Sequence, residues 1–108
     1  MDLRARIMAS MKQAMKEKDA ERLSTVRLIS AAIKDRDIAA RVEGNDDGVD
    51  ETEVMAILGK MSRQRQESAR TYEEAGRLDL AEREMAEIKV IEEFLPKQLS
   101  ADEISLAV

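Results

Sequence analysis

Two helical periodicities that meet at one hinge constrain this chain more than anything else in it. Before Tyr72-Glu-Glu-Ala-Gly-Arg-Leu-Asp79, apolar residues fall at Val54, Ile57, Leu58, Met61, Ala69 and Tyr72; after it they fall at Ala81, Met85, Ile88, Ile91 and Leu95. Both sets advance by three or four residues, the period of a helix with one buried face. Gly76 stands where a helix C-terminus favours a residue free to take positive φ. Asp79, followed by Glu82, fits the cap of the next helix. The hinge therefore predicts an antiparallel helical hairpin closed by a short loop.

Upstream, Leu3, Ile7, Met11 and Met15 make the stripe of a first helix over Asp2 to Lys18, widened by Met8 and Ala14. Asp19 fits the cap of a second helix running from Ala20 to about Val42, with Leu23, Val26, Ile29 and Ile33 as its stripe. The middle of that helix, Val26 to Ile33, is apolar over most of its circumference, which predicts a central position covered on more than one side. Glu43-Gly-Asn-Asp-Asp-Gly-Val-Asp50 is the clear break. Its Asp-x-Asp spacing resembles part of a calcium loop, but the ligand offsets and the closing Glu of that motif are missing, so no metal is expected. Asp50 with Glu53 fits a capping box for the third helix. Helix four ends at Phe94-Leu-Pro96, because the residue before proline is pushed out of the α region. Ser100-Ala-Asp-Glu103 then reads as the capping box of a fifth helix, with Leu99 and Ile104 as its hydrophobic staple. The chain stops a turn or two later, which suggests a truncated second unit. The expected fold is all-α: about four helices in a small bundle with a long antiparallel hairpin, plus the start of a fifth.

Composition bounds the chemistry. Aromatics are 2% of the chain, so the core must be aliphatic, filled by Leu, Ile, Val, Ala and seven Met. There is no Cys, which removes thiol chemistry, and no His, which removes the commonest general base and transition-metal ligand. No phosphate-binding loop of the GxxxxGK[ST] kind occurs. Ser24, Ser62 and Ser68 have Lys or Arg nearby, which is ordinary on charged helices. Glu84 and Glu87 lack the histidines that di-metal bundles pair with such carboxylates. No catalytic residue, cofactor or metal is expected, and the domain reads as non-catalytic by itself. Without a signal peptide or a long apolar run, the expectation is a cytoplasmic protein that does not enter a membrane.

The net charge of −5 hides a segregation. Residues 1–43 carry ten cations against seven carboxylates, residues 44–53 five carboxylates alone, residues 54–77 five cations against three carboxylates, and residues 78–108 three against eight. On a wheel of residues 54–77, Lys60, Arg63, Glu67, Arg70, Glu74 and Arg77 share the side opposite Met61. Two readings stand: a solvated ladder of ion pairs, or a guanidinium row, Arg63, Arg70 and Arg77, presented to phosphates. Arg27 is open to the same choice between a packed stem with a solvated head and a phosphate contact. Arg65 falls inside the apolar arc. Folding the hairpin about Arg77–Leu78 brings it level with Val90, within a turn of Glu92, which predicts an interhelical Arg65–Glu92 pair.

Four stretches carry a resemblance: Ser24-Thr-Val-Arg-Leu-Ile-Ser-Ala-Ala-Ile-Lys34, Lys60-Met-Ser-Arg-Gln-Arg-Gln-Glu-Ser68, Tyr72-Glu-Glu-Ala-Gly-Arg77 and Glu93-Phe-Leu-Pro-Lys-Gln-Leu-Ser100. Together, and in this order, they resemble the YqeY family of the GatB/YqeY group. The resemblance implies a helical domain over 1–99 and, in 100–108, the first turn of a second, GatB-like helical domain. It also implies a link to tRNA. The group is named for the tail of GatB, a subunit of the glutamine-dependent amidotransferase acting on misacylated tRNA, and that tail is associated with tRNA binding. On this basis Arg27, Arg63, Arg65, Tyr72 and Arg77 become candidate tRNA contacts, joined by Lys34 and Arg70 on the same helical faces. The functional expectation is an accessory module that binds tRNA or a tRNA–protein complex. The alternatives are a protein-interaction scaffold, whose partner would meet the acidic last third or the Asn45–Asp50 loop, and an amidotransferase-related carbon–nitrogen ligase implied by the family label alone.

Overall fold

The computed structural model describes residues 2–95, which form four helices: α1 (Leu3–Glu17), α2 (Ala20–Val42), α3 (Glu51–Glu74) and α4 (Leu78–Glu92). The expected fifth helix, its cap at Ser100 and the boundary at 99–100 lie outside the described residues.

Aspartates open three of the four helices. Asp2, Asp19 and Asp50 accept the backbone N–H of Ala5 at 2.8 Å, Arg22 at 3.1 Å and Glu53 at 2.9 Å, each satisfying one of the orphan donors of a first turn. Only half of the box at Asp50 forms, because the Glu53 carboxylate turns to Arg36, 3.4 Å away. Asp79 does not cap α4. Arg77 holds that position, without a side-chain cap bond. The preceding helix end explains this. Gly76, at φ +76°, closes a Schellman motif in which its own N–H donates to Glu73 O at 3.0 Å and that of Arg77 to Tyr72 O at 2.7 Å. The turn delivers Leu78 already helical, so Asp79 sits inside the first turn of α4.

Helix α1 ends in the same motif, with Lys18 rather than glycine in the left-handed region at φ 56°, and its N–H and that of Asp19 return to Met15 O and Ala14 O. Two residues thus turn α1 into α2, and the molecule is two antiparallel hairpins packed together. Helix α2 packs against the other three helices, as its apolar middle requires.

The core is aliphatic: Leu3 and Ile7 of α1, Val26, Ile29 and Ile33 of α2, Val54, Leu58 and Met61 of α3, and Ile91 of α4, with Val49 and Phe94 beside them. The expected stripes fail at methionines. Met8, Met15 and Met85 are exposed, while Ala14 and Ala81 are buried. Met8 and Met15 stand about 80–100° round α1 from Ile7, and Met85 about 120° round α4 from Ile91, at 100° per residue. They fall off the arc that faces the neighbouring helices, and alanines fill the close approaches.

The 43–50 loop turns inward. Arg4 grips Asp37 with two bonds, Nη1–Oδ2 at 3.0 Å and Nη2–Oδ1 at 2.6 Å, and donates again from Nη2 to Val49 O at 3.0 Å. Asp37 Oδ1 accepts Val49 N–H at 2.9 Å, so α1, α2 and the loop are joined at one carboxylate. The Arg4 side chain, then the Val49 N–H, pulls the Asp37 carboxyl from 3.8 down to about 2. Asn45 ties the loop to itself through Gly48 O and Asp47 N–H.

Candidate nucleic-acid interface

Helix α3 is long because nothing interrupts it between Glu51 and Glu74, and its Val54–Leu58–Met61–Ala69 arc is buried against its neighbours. The opposite side must then face water, and Lys60, Arg63, Glu67 and Arg70 are exposed there. Arg63 and Arg70 are seven residues apart, about 10.5 Å along the axis. Among the described residues neither enters an ion pair, and the expected ladder with Glu67 and Glu74 does not close within 4 Å.

The third member of the row departs from the seven-residue step. Helix α3 ends before Arg77, which stands at the hinge with its Nε 3.6 Å from Asp79 Oδ1, both side chains mostly exposed. A contact that long and that wet is worth little, so Arg77 extends the row at its end.

Arg65 leaves the candidate set. Its side chain is 16% exposed, its Nε donates to Glu87 at 2.8 Å and its Nη1 to Met61 O at 3.2 Å. The expected Arg65–Glu92 pair is corrected with it. The hairpin turns about Gly76 rather than Arg77–Leu78, which brings Arg65 level with Glu87 instead of Val90. Glu92 lies 3.4 Å from Ser62 Oγ, which also accepts from Gln66 at 3.1 Å. The predicted kind of contact, an arginine of α3 with a glutamate of α4, is present with a different glutamate. Burial, then the charge of Glu87, raises the Glu84 carboxyl on the same face of α4.

Tyr72 is half-buried at the end of α3, nine residues and therefore 180° round the helix from Arg63. Arg27 and Lys34 are exposed on α2. Arg36, which reaches Glu53 of α3, stands 180° round α2 from Arg27. The side of α2 that meets α3 is thus the side away from Arg27 and Lys34, and the two basic rows do not form one surface.

One concavity escaped the sequence. A groove of about 760 Å³ runs between the first turns of α2 and α4, lined by the carboxylates of Asp19, Glu21, Asp79, Glu82 and Glu87 with Arg22 and Arg83 among them. Its walls are about sixty residues apart in sequence, so no local signal marks it. Among the described residues no group of three or more His, Cys, Asp or Glu could hold a metal, and no helix is long and apolar enough to cross a membrane.

A protein-family model described as Yqey-like protein matches residues 4–108. Among curated proteins, the chain is similar to altered inheritance of mitochondria protein 41, mitochondrial, of three yeasts. Identity is 39% over 85 residues with that of Meyerozyma guilliermondii, covering 79% of this chain and 42% of the relative. It is 32% over 106 residues with that of Lachancea thermotolerans, covering 98% and 54%, and 35% over 85 residues with that of Vanderwaltozyma polyspora, covering 79% and 44%. The chain spans about half the length of these relatives. Their names overturn the cytoplasmic expectation, since they are mitochondrial proteins. The lack of a long apolar run separates membrane from water and cannot tell one aqueous compartment from another.

Proposed function

The chain belongs to the YqeY-like protein family, and from that membership we propose that it is a non-catalytic helical module that binds tRNA, or a tRNA–protein complex, through the outer face of α3. The observation that supports this is the pair of exposed guanidinium groups of Arg63 and Arg70, which among the described residues have no ion partner and lie on a side of α3 that no other helix covers, with Lys60 beside them and Arg77, in its long contact with Asp79, at the hinge. Guanidinium groups with free donors suit phosphate oxygens, which they meet in a planar, two-toothed geometry. Such contacts give affinity and orientation without reading sequence. An amidotransferase activity of the chain itself gains nothing from its residues: Cys and His are absent, and no phosphate loop is present.

The test is fluorescence anisotropy of labelled bulk tRNA over a salt series. Binding is expected to weaken steeply with salt, with a log–log slope of about −3 for three to four phosphate contacts. Arg63, Arg70 and Arg77 changed together to Glu should cost at least tenfold in affinity and remove most of that slope. Unchanged binding by the triple variant would reject this face.

The α2–α4 groove favours a second reading, a protein-interaction scaffold. Glu21 and Glu82 on its walls enter no ion pair among the described residues, while Arg22, also on the wall, is held by Glu93, with Nη1–Oε1 at 3.0 Å, and lies 3.9 Å from Asp19. Failure of the tRNA test at low salt leaves this acidic groove as the surface to pursue.

A further inference from the structure

We propose that the α3 face takes base-paired RNA and not single strands. This rests on the tRNA-binding assignment above and narrows it to a class of RNA surface.

The argument starts from the rings. The chain has one Tyr and one Phe and no Trp. Proteins that hold single-stranded RNA stack successive bases on aromatic side chains, and each such stack contributes substantially to affinity. Here neither ring is available to the α3 face. Phe94 is 4% exposed and lies under the Arg6 guanidinium, whose carbon is 5.7 Å from the ring centroid. Arg6 also donates to Glu93 O at 2.8 Å, which holds it over that ring. Tyr72 is half-buried on the opposite side of α3 from Arg63. The exposed face between Lys60 and Glu74 carries charged and polar groups with no ring among them.

A single strand meeting this face would have to be ordered along it with no stacking in return. A duplex arrives with its phosphates already fixed on a rigid surface. Helix α3 is one uninterrupted element over Glu51–Glu74, and its arginines advance in a step of about 10.5 Å from Arg63 to Arg70. The helix backbone fixes where the arginine stems begin and the duplex fixes the phosphates, so only the side chains have to be ordered. Double-stranded RNA is recognised in this way, through backbone and shape rather than base edges. Glu67 and Glu74 share that side of the helix with the arginines, so a backbone pressed along the whole face meets carboxylates as well, and one that touches it at a few fixed points meets fewer.

The test compares two labelled RNAs of equal phosphate number, a hairpin with a stem of about 16 base pairs and an oligouridine, by anisotropy at low salt against the same protein. The stem is expected to bind at least tenfold more tightly. Tyr72→Leu, which keeps apolar bulk and removes the ring, should change stem binding less than twofold, as should Arg27→Glu with Lys34→Glu; circular dichroism shows that each variant is folded. Oligouridine binding as tightly as the stem, or a loss above fivefold in Tyr72→Leu, would overturn the proposal while leaving tRNA binding in place. Binding of neither RNA would overturn tRNA binding as well.

Discussion

Leu58→Ala should lower the unfolding free energy by about 3–4 kcal/mol, enough to move the thermal midpoint down by roughly 15 °C in a domain of this size. Leu58 is 0% exposed and belongs to a cluster with members from all four helices. The composition makes the loss severe. One Phe is the only ring in that cluster, and apart from Ala40 and Met61 the remaining members are branched aliphatics. Of these only Met61 is flexible enough to lean into the vacated volume, so the transfer term and most of the cavity term are both lost. Val42→Ala is the control, because Val42 is 84% exposed and its loss should shift stability by no more than about 0.5 kcal/mol. Urea melts of the three proteins decide the matter: a Leu58→Ala cost below about 1.5 kcal/mol would mean that the core is not packed as described.

Gly48→Ala should cost about 3 kcal/mol, for two separable reasons. Gly48 holds φ at +84°, where a side chain is strained, and a Cβ there would stand 2.7 Å from Asp37 Oδ1 and 3.3 Å from Arg4 Nη2. The methyl group must therefore push apart the pair that fastens α1, α2 and the loop. Gly44→Ala isolates the first reason, since Gly44 has φ +99° with nothing within 4 Å of its Cβ position; it should cost only about 1 kcal/mol. The latch itself is read by Asp37→Ala, expected to cost about 2 kcal/mol at neutral pH. Asp37 ionises near 2 in the fold against 3.8 ordinarily. A depressed carboxyl stabilises the fold fully above its ordinary pKa and loses that contribution as pH falls through its folded value. The gap between the native chain and Asp37→Ala should therefore close between pH 4 and pH 2, whereas the Leu58→Ala deficit should persist. A gap that stays constant over that range would show that the carboxylate charge is not what holds the loop.

Much of this fold was legible because its signals are local. The aspartate caps of α2 and α3, the glycine that ends α3 and the stripes around Ile7, Ile29 and Leu58 each depend on neighbours within a few turns. What was missed depended on geometry between distant segments. The Arg65 partner needed the hinge centre to within one residue, and a shift from Arg77–Leu78 to Gly76 replaced Glu92 by Glu87. Asp79 was misplaced as a cap because the Schellman turn at Gly76 fixes where α4 begins. The Arg4–Asp37–Val49 latch joins residues up to 45 apart and leaves no periodic trace. At the candidate interface, exposure of Arg63 and Arg70 followed from the wheel. Separation of Arg27 and Lys34 from them did not, because it depends on which flank of α2 meets α3.

The central claim is that the outer face of α3 is the surface that meets tRNA. Its most direct test is a backbone amide NMR titration of the chain with tRNA at low salt, read residue by residue. Shifts and broadening concentrated from Lys60 to Arg77, with side-chain signals of Arg63 and Arg70 among the first to move, are the predicted result. Perturbations concentrated instead on Glu21, Glu82 and Ala86, or on Arg27 and Lys34 of α2, would contradict it.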